Sequence, residues 1–441
     1  MTKSKTRTTN WVLSFIEDLY LKNRTLVSAD NYYCLERIHE KFPIKIHRYP
    51  TGGDYDTWLI PPQWDVVEAY LSDGENILAS YEDHPLFLAP YSRNFEGWIS
   101  KEELLKHVVF DKNNPDSFFY QHRLAANFQL RLKDWGISLP YNMVKNLDKE
   151  KYFVKIKVQI SSGDLCVGEA LLPGTLNKKI ALLAHLCHPG QANDGLAGVG
   201  CGLEVMRRLS EQENRHFTYQ FLIMPETFGS AVYLSDNISG LDDYLGVFFL
   251  EMSGAGARLA FNSSRKGKLY FDLLLHYLAA KTDPGYVHYK FHRGMGNDEL
   301  NFDWPAIDIP GFAVYWDEFP QYHSSADRPE IIDLNKIETM VEFVMDMIGI
   351  IEDDYIPMYN QKIPIYQTRY DLYVDFFKQE ELYYNNIDLL YSIDGSTSLF
   401  EIVNNLNMCF EEAKEYIEKY VALGFIKKKP IPLTKYKENR V

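Results

Sequence analysis

Residues 180–195 read IALLAHLCHPGQANDG. The apolar run at the start is typical of a strand that is buried on both faces, and it leads directly into His185. His188 follows three residues later, and Asp194 lies nine residues after His185. A single histidine here would more often be a core residue, and Asp194 alone a helix N-cap. The cluster at a strand end instead favours a metal site, because imidazole nitrogens and carboxylate oxygens bind zinc.

The next strand-like runs repeat this arrangement. Residues 221–224 (FLIM) lead to Glu226, residues 247–250 (VFFL) lead to Glu251, and a further strand precedes His323. The alternation of strand and helix patterns from residue 151 onward predicts an α/β fold whose strands are mostly parallel. Polar residues at the carboxyl ends of such strands meet at one edge of the sheet. We therefore expect these side chains to converge.

The chain divides into three regions by composition. We predict a catalytic domain made of residues 1–45 and 151–355, because strands and helices alternate there. Prolines and turn residues punctuate short aromatic runs between 46 and 150, which predicts a β-rich inserted domain. Residues 356–441 read as a linker, short helices and a terminal hairpin, the pattern of a winged-helix domain.

Charge and cysteine content exclude several function classes. The chain carries 46 basic and 61 acidic residues, a net charge of −15, which gives no support for a nucleic-acid partner despite the winged helix. Five cysteines without a C-x-x-C pair argue against a disulfide framework and indicate a reducing, cytoplasmic compartment. No apolar stretch is long enough to cross a membrane, so no membrane partner is expected.

The motifs, taken in order, resemble the co-catalytic zinc aminopeptidases and glutamate carboxypeptidases. The chain is similar to an uncharacterised branch of that family with an inserted domain and a C-terminal winged helix. The motifs that carry the resemblance are HLCHP at 185–189, NDG at 193–195, PETFGS at 225–230, LEM at 250–252, GNDE at 296–299 and YHSSAD at 322–327.

The resemblance implies a three-layer zinc-peptidase core around a mostly parallel mixed sheet, with one or two zinc ions. It implies metal ligands at His185, Asp194, Glu251 and His323, with Asp194 as the bridge between two ions. In that family a glutamate pair supplies the general base and one ligand. The family also holds its bridging aspartate on a cis peptide bond, so we expect one between Asp194 and Gly195.

This sequence departs from the family pattern in ways that leave the metal count open. The glutamate pair is reduced to Pro225-Glu226, so Glu226 is either the base or a ligand. His188 has no counterpart in the wider family, and it either replaces His185 as a ligand or supports it. Cys187 stands where the family has an aspartate that orients the first histidine.

The predicted function is zinc-dependent hydrolysis of a peptide or other small amide, most simply as an aminopeptidase with Glu226 as the catalytic base. Asp298 and Glu299 are predicted to bind the substrate ammonium, with a solvated acidic loop as the alternative. A deacylase of a small amide metabolite or sugar is a second hypothesis. The third is a catalytically degenerate peptidase fold that acts as a binding or regulatory module. A homo-oligomer is left open.

Overall fold

The computed structural model of the chain describes residues 9–121 and 133–438. The α-helices of this part are α1 (Asn10–Leu19), α2 (Ala29–His39), α3 (Lys101–His107), α4 (Tyr141–Lys145), α5 (Gly198–Ser210), α6 (Phe228–Asp236), α7 (Tyr270–Thr282), α8 (Glu299–Phe302), α9 (Leu334–Asp353), α10 (Glu380–Tyr391), α11 (Leu399–Leu406) and α12 (Phe410–Ala422). The strands are β1 (Lys45–Pro50), β2 (Asp54–Tyr55), β3 (Trp58–Leu59), β4 (Gln63–Ser72), β5 (Ile77–Ser80), β6 (Phe95–Ser100), β7 (Val108–Val109), β8 (Ile137–Ser138), β9 (Lys151–Ser161), β10 (Asp164–Leu172), β11 (Lys179–His185), β12 (Thr218–Met224), β13 (Tyr244–Leu250), β14 (Arg258–Asn262), β15 (Val287–Tyr289), β16 (Gly311–Asp317), β17 (Ile356–Tyr359) and β18 (Ile426–Lys429).

The largest sheet has eight strands in the order β1-β10-β12-β11-β13-β16-β14-β15. Its centre is parallel, since β11 pairs in parallel with β12 and with β13, and β13 pairs in parallel with β16. The flanking strands β10 and β14 run antiparallel to their inner neighbours β12 and β16. This mixed sheet with its helices confirms the predicted α/β class.

The central strands are continuous apolar runs because both of their faces are covered. Every residue of β12 and β13 is buried, and so is β11 after its first residue. Helix α5 approaches this sheet closely at two glycines. A Cβ on Gly198 would lie 2.1 Å from the Leu250 carbonyl oxygen, and one on Gly202 would lie 2.3 Å from the Phe221 ring. Small residues at these positions therefore let the helix pack onto the strands that carry the site.

A second sheet has four antiparallel strands in the order β5-β4-β9-β6. The sequence predicts β9 within the alternating strand–helix region, but it pairs with β4 and β6 rather than with β11. Its buried and exposed residues alternate, which is typical of an antiparallel strand with one covered face. The boundaries proposed for the inserted domain stay a prediction.

The chain folds as two compact units, the first comprising residues 1–267 and 282–342 and the second residues 268–281 and 343–441. The second unit contains α10, α11 and α12 together with the antiparallel pair of β17 and β18. Ser398 and Glu401 form a reciprocal capping box at the start of α11. Helix α10 begins seven residues before the predicted Ile387, because its polar first turns carry no apolar periodicity. The winged-helix assignment stays a prediction.

Within residues 9–121 and 133–438, none of the helices has the length and apolar character that a membrane crossing requires.

Candidate metal centre

The candidate site lies at the carboxyl edge of the parallel strands, as expected. Strand β11 ends at His185, β13 ends one residue before Glu251, and β12 ends two residues before Glu226. Parallel strands bring their carboxyl ends to one edge, so residues far apart in sequence become neighbours here. His323 reaches the same place from the segment that follows β16.

Two of these residues at strand ends, His185 and Glu251, form a group with Asp194, which we call the strand set. The His185 Nε2 atom lies 3.1 Å from Asp194 Oδ1 and 3.0 Å from Glu251 Oε2. All three side chains are buried. Two carboxylates around one imidazole nitrogen are a ligand arrangement that suits zinc.

A second group, which we call the loop set, shares the same aspartate: His188, His323 and Asp194. The His188 Nδ1 atom lies 3.2 Å from Asp194 Oδ1, and the His323 Nε2 atom lies 3.1 Å from Asp194 Oδ2. Both histidines follow strands rather than lie in them. Asp194 Oδ1 thus lies near both His185 and His188, and Oδ2 lies near His323, so the one carboxylate contacts both sets.

Glu226 stands at the outer side of the loop set. Its Oε2 atom lies 3.1 Å from His188 Nε2, and its side chain is 29% exposed, unlike those of the two sets. Burial alone would raise the pKa of Glu226, but the hydrogen bond from His188 and the charges of His188 and His185 outweigh this and lower the pKa. The carboxylate is therefore ionised and within reach of solvent.

The residues of each set fit a divalent cation. In each set one ligand atom per residue lies within 4.8 Å of the others, and His185, Cys187, His188 and Glu226 form a further such group. Asp194 Oδ2 and His188 Nδ1 are buried without a well-aligned hydrogen-bond partner. A bound cation would satisfy these atoms, which are otherwise costly to bury.

Electrostatics within the cluster point the same way. Burial alone would lower the pKa of His188, but the charge of Asp194 outweighs it and raises the pKa to about 10. Burial would raise the pKa of Asp194, yet His188, His185 and His323 hold it well below its usual range. The raised pKa of His188 favours a proton on its imidazole, and binding of a metal at that nitrogen would displace the proton.

Asp194 is held by its backbone rather than by a cis peptide bond. The Asp327 carboxylate accepts hydrogen bonds from Asn193 N at 2.7 Å and from Asp194 N at 2.9 Å. All peptide bonds between described residues are trans, so the predicted cis bond is wrong. The chain reverses instead at Gly195, whose φ of +108° and closeness to His185 exclude a side chain.

Two residues that the sequence analysis missed support the loop set. Arg24 is fully buried and donates from Nη2 to the carbonyl oxygens of His188 and Gln191. The Tyr120 amide donates to the His323 carbonyl at 2.8 Å, and the Tyr120 ring packs edge-on against both histidines of the set. Neither residue belongs to a motif, so no signal in the sequence placed them here.

Asp298 and Glu299, predicted to bind a substrate ammonium, lie beside the site but are buried. Asp298 Oδ1 accepts hydrogen bonds from Thr227 N and from Ser230 Oγ. Glu299 Oε2 accepts from the amide of Asn297 at 2.9 Å. Burial raises the pKa of Asp298 to about 7 and that of Glu299 to about 8. Substrate binding by these two residues stays a prediction.

The chain matches one protein family and is similar to several known proteins. The family described as "Domain of unknown function (DUF4910)" matches residues 13–354. A protein of Clostridium acetobutylicum is 26% identical over 356 residues, 78% of each chain, and its name provisionally assigns it to polysaccharide biosynthesis with an aminopeptidase-like domain. A crystal structure from the same organism, provisionally called a peptidase, has a TM-score of 0.85 at 22% identity and covers 96% of both chains.

A zinc aminopeptidase from Bacillus subtilis has a TM-score of 0.56 at 15% identity and covers 78% of this chain and 95% of its own. These likenesses establish an aminopeptidase-like fold and confirm the resemblance read from the motifs. The fold positions the two sets, and the chemistry must be argued from their residues.

Proposed function

The chain belongs to the DUF4910 family, and from that premise we propose that it is a zinc-dependent hydrolase of amide or peptide bonds. The observation that carries the proposal is the pair of ligand sets that share Asp194, with an ionised and partly exposed Glu226 next to them. The aminopeptidase-like fold and the name of the Bacillus subtilis zinc aminopeptidase support zinc as the metal.

The two sets favour two ions rather than one. The strand set would hold one ion through His185, Glu251 and Asp194, and the loop set would hold the other through His188, His323 and Asp194. His188 in this arrangement takes the ligand place left open by the missing second glutamate. Glu226 is then free to act as the base.

When bound, zinc polarises the scissile carbonyl and brings the pKa of a water near 7. Glu226 would take the proton of the attacking water and deliver it to the leaving amine. His188 Nε2, 3.1 Å from Glu226 Oε2, orients that carboxylate. Asp327 holds the backbone of Asp194, so the bridging carboxylate stays in place throughout.

The test combines metal analysis with turnover. We expect purified protein loaded with zinc to release amine from aminoacyl anilides, and Glu226→Gln to abolish release while it retains its zinc. Glu213→Gln, at an exposed position, is the matched control. Zinc retained by the wild type without turnover on any amide would contradict catalysis and favour the binding or regulatory alternative.

A deacylase is the second candidate, and the name of the Clostridium acetobutylicum relative favours it. An N-acetylated amino sugar presents the same amide to the same groups. Release of acetate from such sugars, without release of amine from aminoacyl anilides, would favour the deacylase activity over the aminopeptidase activity. A cytoplasmic location stays a prediction.

A further inference from the structure

We propose that residues 296–301 (Gly-Asn-Asp-Glu-Leu-Asn), here called the brace segment, position the base Glu226 and the ligand Glu251 in the same active site. The inference rests on the proposed function and assigns Asn297, Asp298 and Asn301 as positioning residues. It differs from substrate binding because Asn297 Nδ2, Asp298 Oδ1 and Asn301 Nδ2 each form hydrogen bonds with other protein groups.

The first observation concerns the backbone of Thr227, the residue after Glu226. Thr227 has a φ of +65°, a left-handed conformation that is unfavourable for a β-branched residue. Residues held in this way persist only where the surrounding structure enforces them. A backbone hydrogen bond from Phe228 N to the Glu226 carbonyl at 2.6 Å closes this turn locally, and we infer that contacts from outside the turn add a further restraint.

The brace segment supplies that restraint on both sides of Thr227. Asp298 Oδ1 accepts a hydrogen bond from Thr227 N at 2.9 Å, and Asn301 Nδ2 donates to the Thr227 carbonyl at 3.0 Å. Ser230 completes the network, because its Oγ donates to Asp298 and accepts from Asn301 at 2.8 Å. The Thr227 amide is thus held by Asp298, and its carbonyl is held by Asn301 together with the Ala231 amide at 3.1 Å.

This restraint determines where Glu226 points. The Glu226 and Thr227 residues share a peptide bond, so a change in φ at Thr227 rotates the chain on one side relative to the other. In the braced state Glu226 Oε2 lies 3.1 Å from His188 Nε2. We expect the turn to relax without the brace, and the carboxylate to leave the position that a base requires.

The same segment also contacts the strand set. Asn297 Nδ2 donates to Glu251 Oε2 at 3.2 Å, and the backbone N–H of Asn297 donates to Glu299 Oε2 at 2.9 Å. A hydrogen bond from an outer residue orients a ligating carboxylate and tunes metal affinity. The brace segment therefore connects one proposed ligand with the proposed base.

Burial favours this role over contact with a substrate. Asp298 is 0% exposed and Glu299 is 1% exposed, whereas the Glu226 side chain is 29% exposed. A residue that orients another through hydrogen bonds does not need to be accessible.

The decisive experiment first removes the hydrogen bond from Thr227 to Asp298. It then replaces Thr227 with glycine, which adopts a positive φ without that hydrogen bond. Asp298→Ala is expected to lower kcat about 10–100-fold, with KM within about twofold and zinc content unchanged. Thr227→Gly should restore most of the kcat in the Asp298→Ala background, because glycine adopts positive φ without cost. Asp298→Asn keeps an acceptor oxygen and should remain close to wild type.

A double variant as slow as Asp298→Ala would overturn the proposal, since a merely structural role for Asp298 predicts no rescue at Thr227. Should Asp298→Ala fail to fold, Asn301→Ala provides the same test through the Thr227 carbonyl. Rescue of Asn301→Ala by Thr227→Gly supports the brace, and absence of rescue contradicts it.

The second arm uses metal binding and needs no substrate. Asn297→Ala should weaken zinc binding about tenfold, whereas Asp298→Ala and the exposed control Asn113→Ala should leave it unchanged. Hydrogen exchange of the Thr227 amide should accelerate in Asp298→Ala but not in Asp298→Asn. If the wild type hydrolyses no amide, the proposed function fails, while these two measurements still support or overturn the brace.

Discussion

The strand set and the loop set share Asp194 but are built differently. His185 ends β11, where it pairs with Met224 of β12, and Glu251 directly follows β13, where its amide donates to the Val314 carbonyl at 3.1 Å. His188 and His323 lie beyond strand ends and depend on Arg24 and Tyr120, whose hydrogen bonds reach their carbonyl oxygens from distant parts of the chain. The comparison shows that the sheet positions the residues of one set, whereas the other set is supported by residues outside the sheet.

The largest effect is expected where the two sets meet. Asp194→Ala removes the carboxylate common to both, so we expect loss of both zinc ions and of all amide hydrolysis. Elemental analysis of the purified protein measures this directly, with the exposed Asp148→Ala as control. Retention of either ion would break the idea of a shared bridge.

The next prediction separates the sets. Glu251→Ala should weaken only the strand-set ion and His323→Ala only the loop-set ion, each by more than about 100-fold, because a ligand is lost. Zinc content should fall by about half in each variant. If one substitution empties both sites, the two sets do not bind independently.

Metal removal should distinguish the two sets by the order in which their ions are lost. We expect a graded chelator titration to withdraw the loop-set ion first, because its two histidines lie outside the strands of the sheet. An ion bound only to the folded state at 100 times its Kd stabilises that state by ~2.7 kcal/mol, so each step should lower Tm. Cobalt spectra of the wild type and His323→Ala identify which step is which. A single step in the wild type would contradict the difference in strength.

The smallest effect concerns the support of the loop set. Arg24→Met removes the donor to the His188 and Gln191 carbonyls without leaving a buried unpaired charge. We expect loop-set zinc affinity to fall about tenfold, with the strand set unchanged. Calorimetric zinc titration checks this, with the exposed Arg93→Met as control. Equal losses at both sets would remove the distinction between them.

The sequence indicated the candidate residues at the strand ends, because a buried strand is recognisable as an apolar run. In this chain a polar candidate residue follows each such run. His185 and Glu251 of the strand set, and Glu226 beside the loop set, each follow such a run. The conformations of the loops were not predictable. The cis bond expected at Asp194 is wrong. The positive φ of Thr227 was not predicted either, since its hydrogen bonds to Asp298 and Asn301 come from a distant part of the chain.

The sequence by itself determined the α/β class, the parallel centre of the sheet and the identity of the ionisable residues at its edge, because these follow from local periodicity. Only the tertiary structure decided that Asp194 lies against His185, His188 and His323, and that the GNDE segment contacts Thr227 and Glu251. Those relations depend on loops that bring distant residues within hydrogen-bond distance, and no local pattern records such distances.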